Sequence, residues 1–221
     1  MAGTFTITVQ NRQPQTQNFF FFQQPAIYSG GAVVYSNSLS SYTLPSYDMS
    51  GTVLTFMVEQ QYYAAIQQAS APPMVGQSSG FATANRAIEL AGVNGSHSND
   101  STTASVSPLG LSQPFNQAGV QAGAFRVTTP GFSPPSVYNV GSAIAANGEI
   151  VLSNFVVAQP YNNIDCQPIL KFYVQTGTYT PGSVINFTQS SVTAAMVDFS
   201  GGYTICNVSL NADGTWTTQF Q

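Results

Sequence analysis

The chain has 221 residues, of which 4 are Lys or Arg and 8 are Asp or Glu, giving a formal net charge of −4. Charged residues make up 5% of it, against about 25% in an average soluble domain. Arg12, Arg86, Arg126 and Lys171 are too few and too scattered to track a phosphate backbone, which excludes nucleic acid as a partner.

Disorder is excluded as well. It pairs low hydrophobicity with high net charge, whereas this chain is 43% hydrophobic and 12% aromatic. No apolar run approaches the roughly 20 residues of a membrane span. Surface scaling predicts roughly 10,000 Å² exposed and about 70% of the unfolded surface buried, enough for one large all-β domain. Polarity comes instead from Gln, Asn, Ser and Thr. Such a surface has little long-range self-repulsion, yet it can hydrogen-bond to neighbouring copies or to sugar hydroxyls. The amino terminus shows no basic region, apolar core or cleavage site of a secretory signal. The expected location is therefore the cytoplasm or an intracellular inclusion or vacuole, unless this is a mature form or one travelling by an unrecognised route.

Residues 4–10 alternate as TFTITVQ and predict a first strand with Phe5, Ile7 and Val9 on one face. Residues 18–24 carry Phe19, Phe20, Phe21 and Phe22 in succession. Four aromatics in a row predict a strand buried on both faces; an exposed aromatic patch for ligand stacking is the alternative. Pro25 ends that strand. Strands are expected over 32–36 and 52–59, separated by a loop over 40–51 that holds Tyr42, Pro45 and Tyr47. Residues 60–66 continue the second of these strands, begin another after a kink, or form a short helix; the pattern leaves all three open.

From 70 to 135 the chain is broken by Pro72-Pro73, Gly76, Gly80, Pro108, Pro114, Gly119, Gly123 and Pro130-Gly131. Strands are expected at 81–90 and 125–129, and 92–107 reads as a long exposed loop. This stretch is taken as an irregular insertion within a single domain over 1–221. Strands resume at 137–144 and 150–157 around Asn147-Gly148, a strong hairpin signal. A connection spans 159–168. Residues 171–176 and 203–210 alternate, and Asp213-Gly214 turns the chain into 215–220. No fixed-period repeat is present. About ten short strands with almost no amphipathic helix predict an all-β fold, an antiparallel β-sandwich of jelly-roll type.

The ends of the chain carry a resemblance. FTITVQN with NFFFFQQPAI, and PILKFYVQTGTYTPGSVINF with MVDFSGG and LNADGTW, resemble the rhizosphere-induced protein family. The likeness covers about half the chain and leaves 70–135 unmatched. It implies a β fold and transfers no catalytic residue. The very low charge also invites comparison with the bacterially derived proteins that build crystalline vacuolar inclusions in lower fungi, although no diagnostic motif supports this.

Catalytic signatures are absent. His97, the one histidine, lies in the polar stretch 94–100. Ser, His and Asp letters occur there together, but triad members come from separate rigid elements, and no G-x-S-x-G elbow exists. His97 reads as an exposed loop residue. One histidine and two distant cysteines give no zinc spacing, and Asp48, Asp100, Asp165, Asp198 and Asp213 do not cluster as a calcium loop does. No Gly-rich phosphate cradle precedes a helix, and no carboxylate pair can be located for glycoside hydrolysis. Asn94, Asn99, Asn186 and Asn207 head glycosylation sequons that need a secretory route.

Cys166 and Cys206 allow one internal bridge, bridges between copies, or free thiols. The reading is a non-enzymatic, self-associating protein without cofactor or metal, forming homo-oligomers or an ordered inclusion. Its contacts are expected from strand edges, from Tyr42 and Tyr47 in the 40–47 loop, and from Cys166 or Cys206. The alternative is a lectin-like carbohydrate-binding module using Tyr, Trp, Asn and Gln.

Overall fold

A computed structural model describes residues 3–30, 33–92 and 98–221. The architecture is an all-β sandwich built on one large sheet. That sheet contains β1 (Thr4–Asn11), β4 (Val34–Asn37), β6 (Leu54–Ala69), β7 (Ala82–Ile88), β11 (Val137–Ala146), β12 (Glu149–Val157), β15 (Val184–Ile185), β17 (Ile205–Leu210) and β18 (Trp216–Phe220). Its order is β15-β4-β12-β11-β6-β1-β17-β18, with β7 also pairing β6.

The 16-residue β6 is the spine of this sheet. Its first half pairs with β1 and its second half with β7, while β11 follows both halves on the other side. The 60–66 ambiguity is thereby resolved: the segment continues the strand, and the β6–β11 register slips where one neighbour gives way to the other.

Two smaller sheets pack on this spine. The first contains β2 (Gln17–Gln23), β5 (Ser40–Leu44), β14 (Lys171–Thr176) and β16 (Ala195–Asp198), in the order β16-β14-β2-β5. The second contains β3 (Ile27–Tyr28), β8 (Ser101–Val106), β9 (Leu109–Leu111), β10 (Phe125–Thr128) and β13 (Asn163–Gln167), in the order β3-β13-β10-β8-β9. Phe56 and Val58 of β6 belong to the core shared with β2 and β14, and Ala64 and Ile66 to the core shared with β10 and β13. These four positions have one parity, so both small sheets cover the same face of the spine, side by side.

The consecutive phenylalanines explain the middle layer. Phe21 stacks on Phe56 of the large sheet at 4.3 Å, joining the two layers. On the other face, Phe20 and Phe22 meet Tyr173, Ile185, Tyr179 and Phe187. Phe187 opens α2 (Phe187–Val192), a short helix; the other helical turn, α1, spans Tyr47–Ser50. The strand is therefore buried on both faces.

The hairpin at Asn147-Gly148 has φ of 49° and 86°, the doubly left-handed turn whose twist matches paired strands. At Gly141 a side chain has no room: a Cβ would overlap the Asn154 carbonyl oxygen of β12 and crowd the Tyr28 hydroxyl. That hydroxyl lies 2.7 Å from the Asn154 carbonyl oxygen and accepts the Ser142 N–H at 3.1 Å, tying the second small sheet to the large one.

Several expectations need correction. The stretch 92–107 is not a long exposed loop, because β8 occupies 101–106 and Asp100, Ser101 and Thr102 are buried. Far from being irregular throughout, 70–135 supplies β7, β8, β9 and β10. The 40–51 loop contains β5 and the α1 turn, and the 159–168 connection contains β13. Strand pairing is mostly antiparallel, but β1–β17 and β8–β10 run parallel. His97 and the Asn94 sequon lie outside the described residues.

Candidate functional site

The feature most open to a partner is the end of the large sheet. β18 pairs with β17 on one side and is the last strand of its sheet. Its ladder phase follows from its end. Gln221 N–H donates to the Ile205 carbonyl at 2.9 Å, and Ile205 N–H donates to the Gln221 carbonyl at 3.3 Å. Alternation then makes Asn207/Gln219 and Ser209/Thr217 the next bonded pairs. The N–H and C=O groups of Trp216, Thr218 and Phe220 therefore point away from β17, and among the described residues no strand pairs with them.

Side chains of those three residues turn inward. Trp216 sits edge-on to Phe19 at 6.1 Å, and its indole N–H donates to the Thr193 carbonyl at 2.8 Å. Trp216 is thus a packed anchor, as the residue after a tight turn suggests. Asp213 is a turn residue: its Oδ1 accepts from the Thr215 N–H at 3.0 Å and the Thr215 hydroxyl at 2.7 Å, which holds its pKa below the usual carboxylate value. Thr217 and Gln219 are exposed on the outer face. There, with Gln10, Arg12, Asn207, Ser209 and Asn211, they line a shallow groove of about 430 Å³.

Tyr42 and Tyr47 stand elsewhere and have partners of their own. The Tyr42 hydroxyl accepts from Asn147 Nδ2 at 2.9 Å, so β5 is clasped to the β11–β12 turn. Tyr47 lies 5.0 Å beneath the Arg12 guanidinium, which also contacts Asp48 at 3.3 Å. Their most exposed neighbour is Met49, at 83%.

Cys166 and Cys206 are free thiols buried in different cores, Cys166 with Phe125 and Ile164 and Cys206 with Phe5 and Val208. Burial pushes Cys166 up to about 12 and Cys206 up to about 11. Thiols so protonated and enclosed are poor nucleophiles and poor partners for exchange.

A second recess lies where the large sheet and the β2 sheet part company. Phe5 and Phe199 stack at 4.5 Å and, with Leu170, form its apolar wall. Gln60, Tyr62, Gly202, Tyr203 and Thr204 complete a pocket of about 250 Å³. Nothing in the sequence joins residues from 5, 60–62, 170 and 199–204; the pairing of β6 with β1, of β1 with β17 and of β14 with β16 does so. Among the described residues, no three His, Cys, Asp or Glu side chains gather as a metal site, and no helix is long and apolar enough to cross a membrane. Comparison of the chain with protein-family models, with curated proteins and with solved structures returned no match.

Proposed function

We propose that this is a non-enzymatic, self-associating protein whose copies join along β18. The observation that carries the reading is the bare edge: Trp216, Thr218 and Phe220 present unpaired N–H and C=O groups on a strand without Lys, Pro or a bulge, the devices that blunt such edges. An antiparallel copy related by a twofold axis at Thr218 pairs Trp216 with Phe220 of its mate and Thr218 with itself. All three outward groups are then satisfied from both chains. Low charge removes the repulsion that would oppose this contact.

The test uses light scattering over a concentration series, with electron microscopy of the concentrated protein. Dimers or larger ordered species are expected from the unaltered protein. Thr218→Pro deletes an outward N–H that no partner within the chain uses, so it should leave a folded monomer. A strictly monomeric unaltered protein at the highest soluble concentration overturns the reading. So does assembly that Thr218→Pro leaves intact.

A further inference from the structure

We infer that the recess between Phe5, Phe199 and Tyr203 is a binding site for a single neutral pyranose ring. This goes beyond the edge-to-edge contact and stands or falls separately from it.

The argument begins with what lines the recess. Its floor is apolar, made by Leu170 and by the buried rings of Phe5 and Phe199, which stack on each other at 4.5 Å. Tyr203 lines the recess with 48% of its surface exposed, its ring set 5.3 Å from that of Phe220. Gln60, Tyr62, Tyr203 and Thr204, whose side chains carry an amide and three hydroxyls, complete the lining with Gly202. Among the described residues these four side-chain groups have no hydrogen-bond partner, although the neighbouring peptide groups are paired, Gln60 N–H to the Gly3 carbonyl at 2.8 Å and Thr204 N–H to the Gln221 carbonyl at 3.4 Å. The backbone is thus fixed while the side-chain donors and acceptors are free.

Three properties narrow the ligand. The lining holds no charged side chain, so the ligand is neutral. The volume of about 250 Å³ falls below the roughly 300 Å³ at which pockets for drug-sized ligands begin, so it takes one ring. The half-exposed Tyr203 ring above an apolar floor, beside side chains that carry amide and hydroxyl groups, fits a molecule with an apolar C–H face and a hydroxyl rim, which is the chemistry of a pyranose. Gly202 keeps the mouth open: it sits in the left-handed region at φ 88° with no atom within 4 Å of where a side chain would begin. Burial raises the Tyr62 pKa, so its hydroxyl stays a donor throughout the neutral range.

The experiment is saturation-transfer NMR with methyl glucoside, methyl galactoside and methyl mannoside, and with phenol as the aromatic control. A ligand of about twelve heavy atoms at ordinary ligand efficiency binds with a millimolar Kd, so at least one glycoside should give saturable transfer in that range. Tyr203→Ala should weaken it about two- to tenfold, the worth of one ring contact. Gln60→Ala should also weaken it without disturbing the fold, because that side chain is exposed and makes no hydrogen bond among the described residues. Absence of transfer from all three glycosides overturns the inference, as does transfer unchanged in Gln60→Ala, or binding of phenol alone. Thr218→Pro, which acts on the edge, should leave glycoside binding as it was; loss of assembly with retained binding therefore separates this site from the edge contact.

Discussion

Burial of four successive phenylalanines on both faces of β2 can be tested by truncating each in turn. Phe19, Phe20, Phe21 and Phe22 have exposures of 0%, 2%, 0% and 0%. Phe19 and Phe21 face the large sheet, with Phe21 stacked on Phe56 at 4.3 Å. Phe20 and Phe22 face outward under Tyr179, Tyr173 and Phe187, with ring separations of 4.8 Å, 5.1 Å and 5.9 Å. Truncating a buried Phe to Ala costs about 3–5 kcal/mol. In a domain of this size each kcal/mol lowers Tm by about 2–4 °C, so each substitution should lower it by about 6–20 °C. A strand with one solvated face would instead show alternation, the exposed pair staying within about 0.5 kcal/mol of the parent. Urea titration followed by circular dichroism measures all four variants on one scale. If Phe20→Ala and Phe22→Ala are nearly neutral while Phe19→Ala and Phe21→Ala are not, then α2 and the 177–186 segment do not cover that face, and the layer reasoning fails.

Three further outcomes follow from named contacts. Tyr28→Phe removes a hydroxyl that bridges the Asn154 carbonyl at 2.7 Å and the Ser142 N–H at 3.1 Å; it should cost about 1–3 kcal/mol in chemical denaturation, because the Ser142 N–H is left buried and unpaired. Arg126 holds Asp165 through two bonds of 2.6 Å and 2.9 Å, with only 14% and 9% of the two side chains exposed. Arg126→Ala should cost about 3–5 kcal/mol, and an apolar replacement of both partners should recover much of that loss. Burial raises the Cys166 thiol from 9.0 to about 12, so above about pH 9 the unfolded chain has released a proton that the native one keeps. Stability should therefore fall as pH climbs through that window, by up to about 1.4 kcal/mol per unit from this thiol. The fall should be shallower in Cys166→Ala; equal slopes refute the assignment.

Elements with a local signal were legible before any coordinates. The alternation of Phe5, Ile7 and Val9, the run of phenylalanines, Asn147-Gly148 and Asp213-Gly214 each fix their own segment by side-chain period or turn chemistry. β8 has no such signal. Its sequence STTASV is almost all hydroxyl and small residues, and it is held by polar bonds, Thr102 to the Ser112 carbonyl at 3.0 Å and Ser101 to Asp100 at 2.9 Å. A hydrophobic pattern cannot find a strand buried through its polar groups. β13 was hidden for a different reason: Ile164 and Cys166 alternate inward, but the strand exists only because β3 and β10, far away in sequence, flank it. That β18 is a strand could be read from its turn. That it is an edge is a property of sheet order, which no local pattern encodes.

The scarcity of charge takes on a more specific meaning once the ion pairs are placed. Arg12 meets Asp48 at 3.3 Å, Arg126 meets Asp165 at 2.6 Å and Lys171 meets Asp198 at 3.0 Å, while Arg86 donates to the Leu111 carbonyl at 3.2 Å. Every cation therefore has a partner within its own chain. Of the carboxylates outside these ion pairs, Asp100 is buried beneath the Ser98 and Ser101 hydroxyls and Asp213 is occupied in its turn, while Glu59, Glu89 and Glu149 are exposed. What remains on the surface is a weak negative charge carried by a few scattered glutamates. Proteins ordinarily protect a sheet edge by placing a charge on or beside it. Here β18 carries no charged residue, and Arg12, which lines the outer groove with Thr217 and Gln219, is paired with Asp48 and lies over Tyr47. The scarcity of charge leaves Trp216, Thr218 and Phe220 without a charged residue on their strand, and in the proposed assembly such an edge pairs with a second edge as neutral as itself.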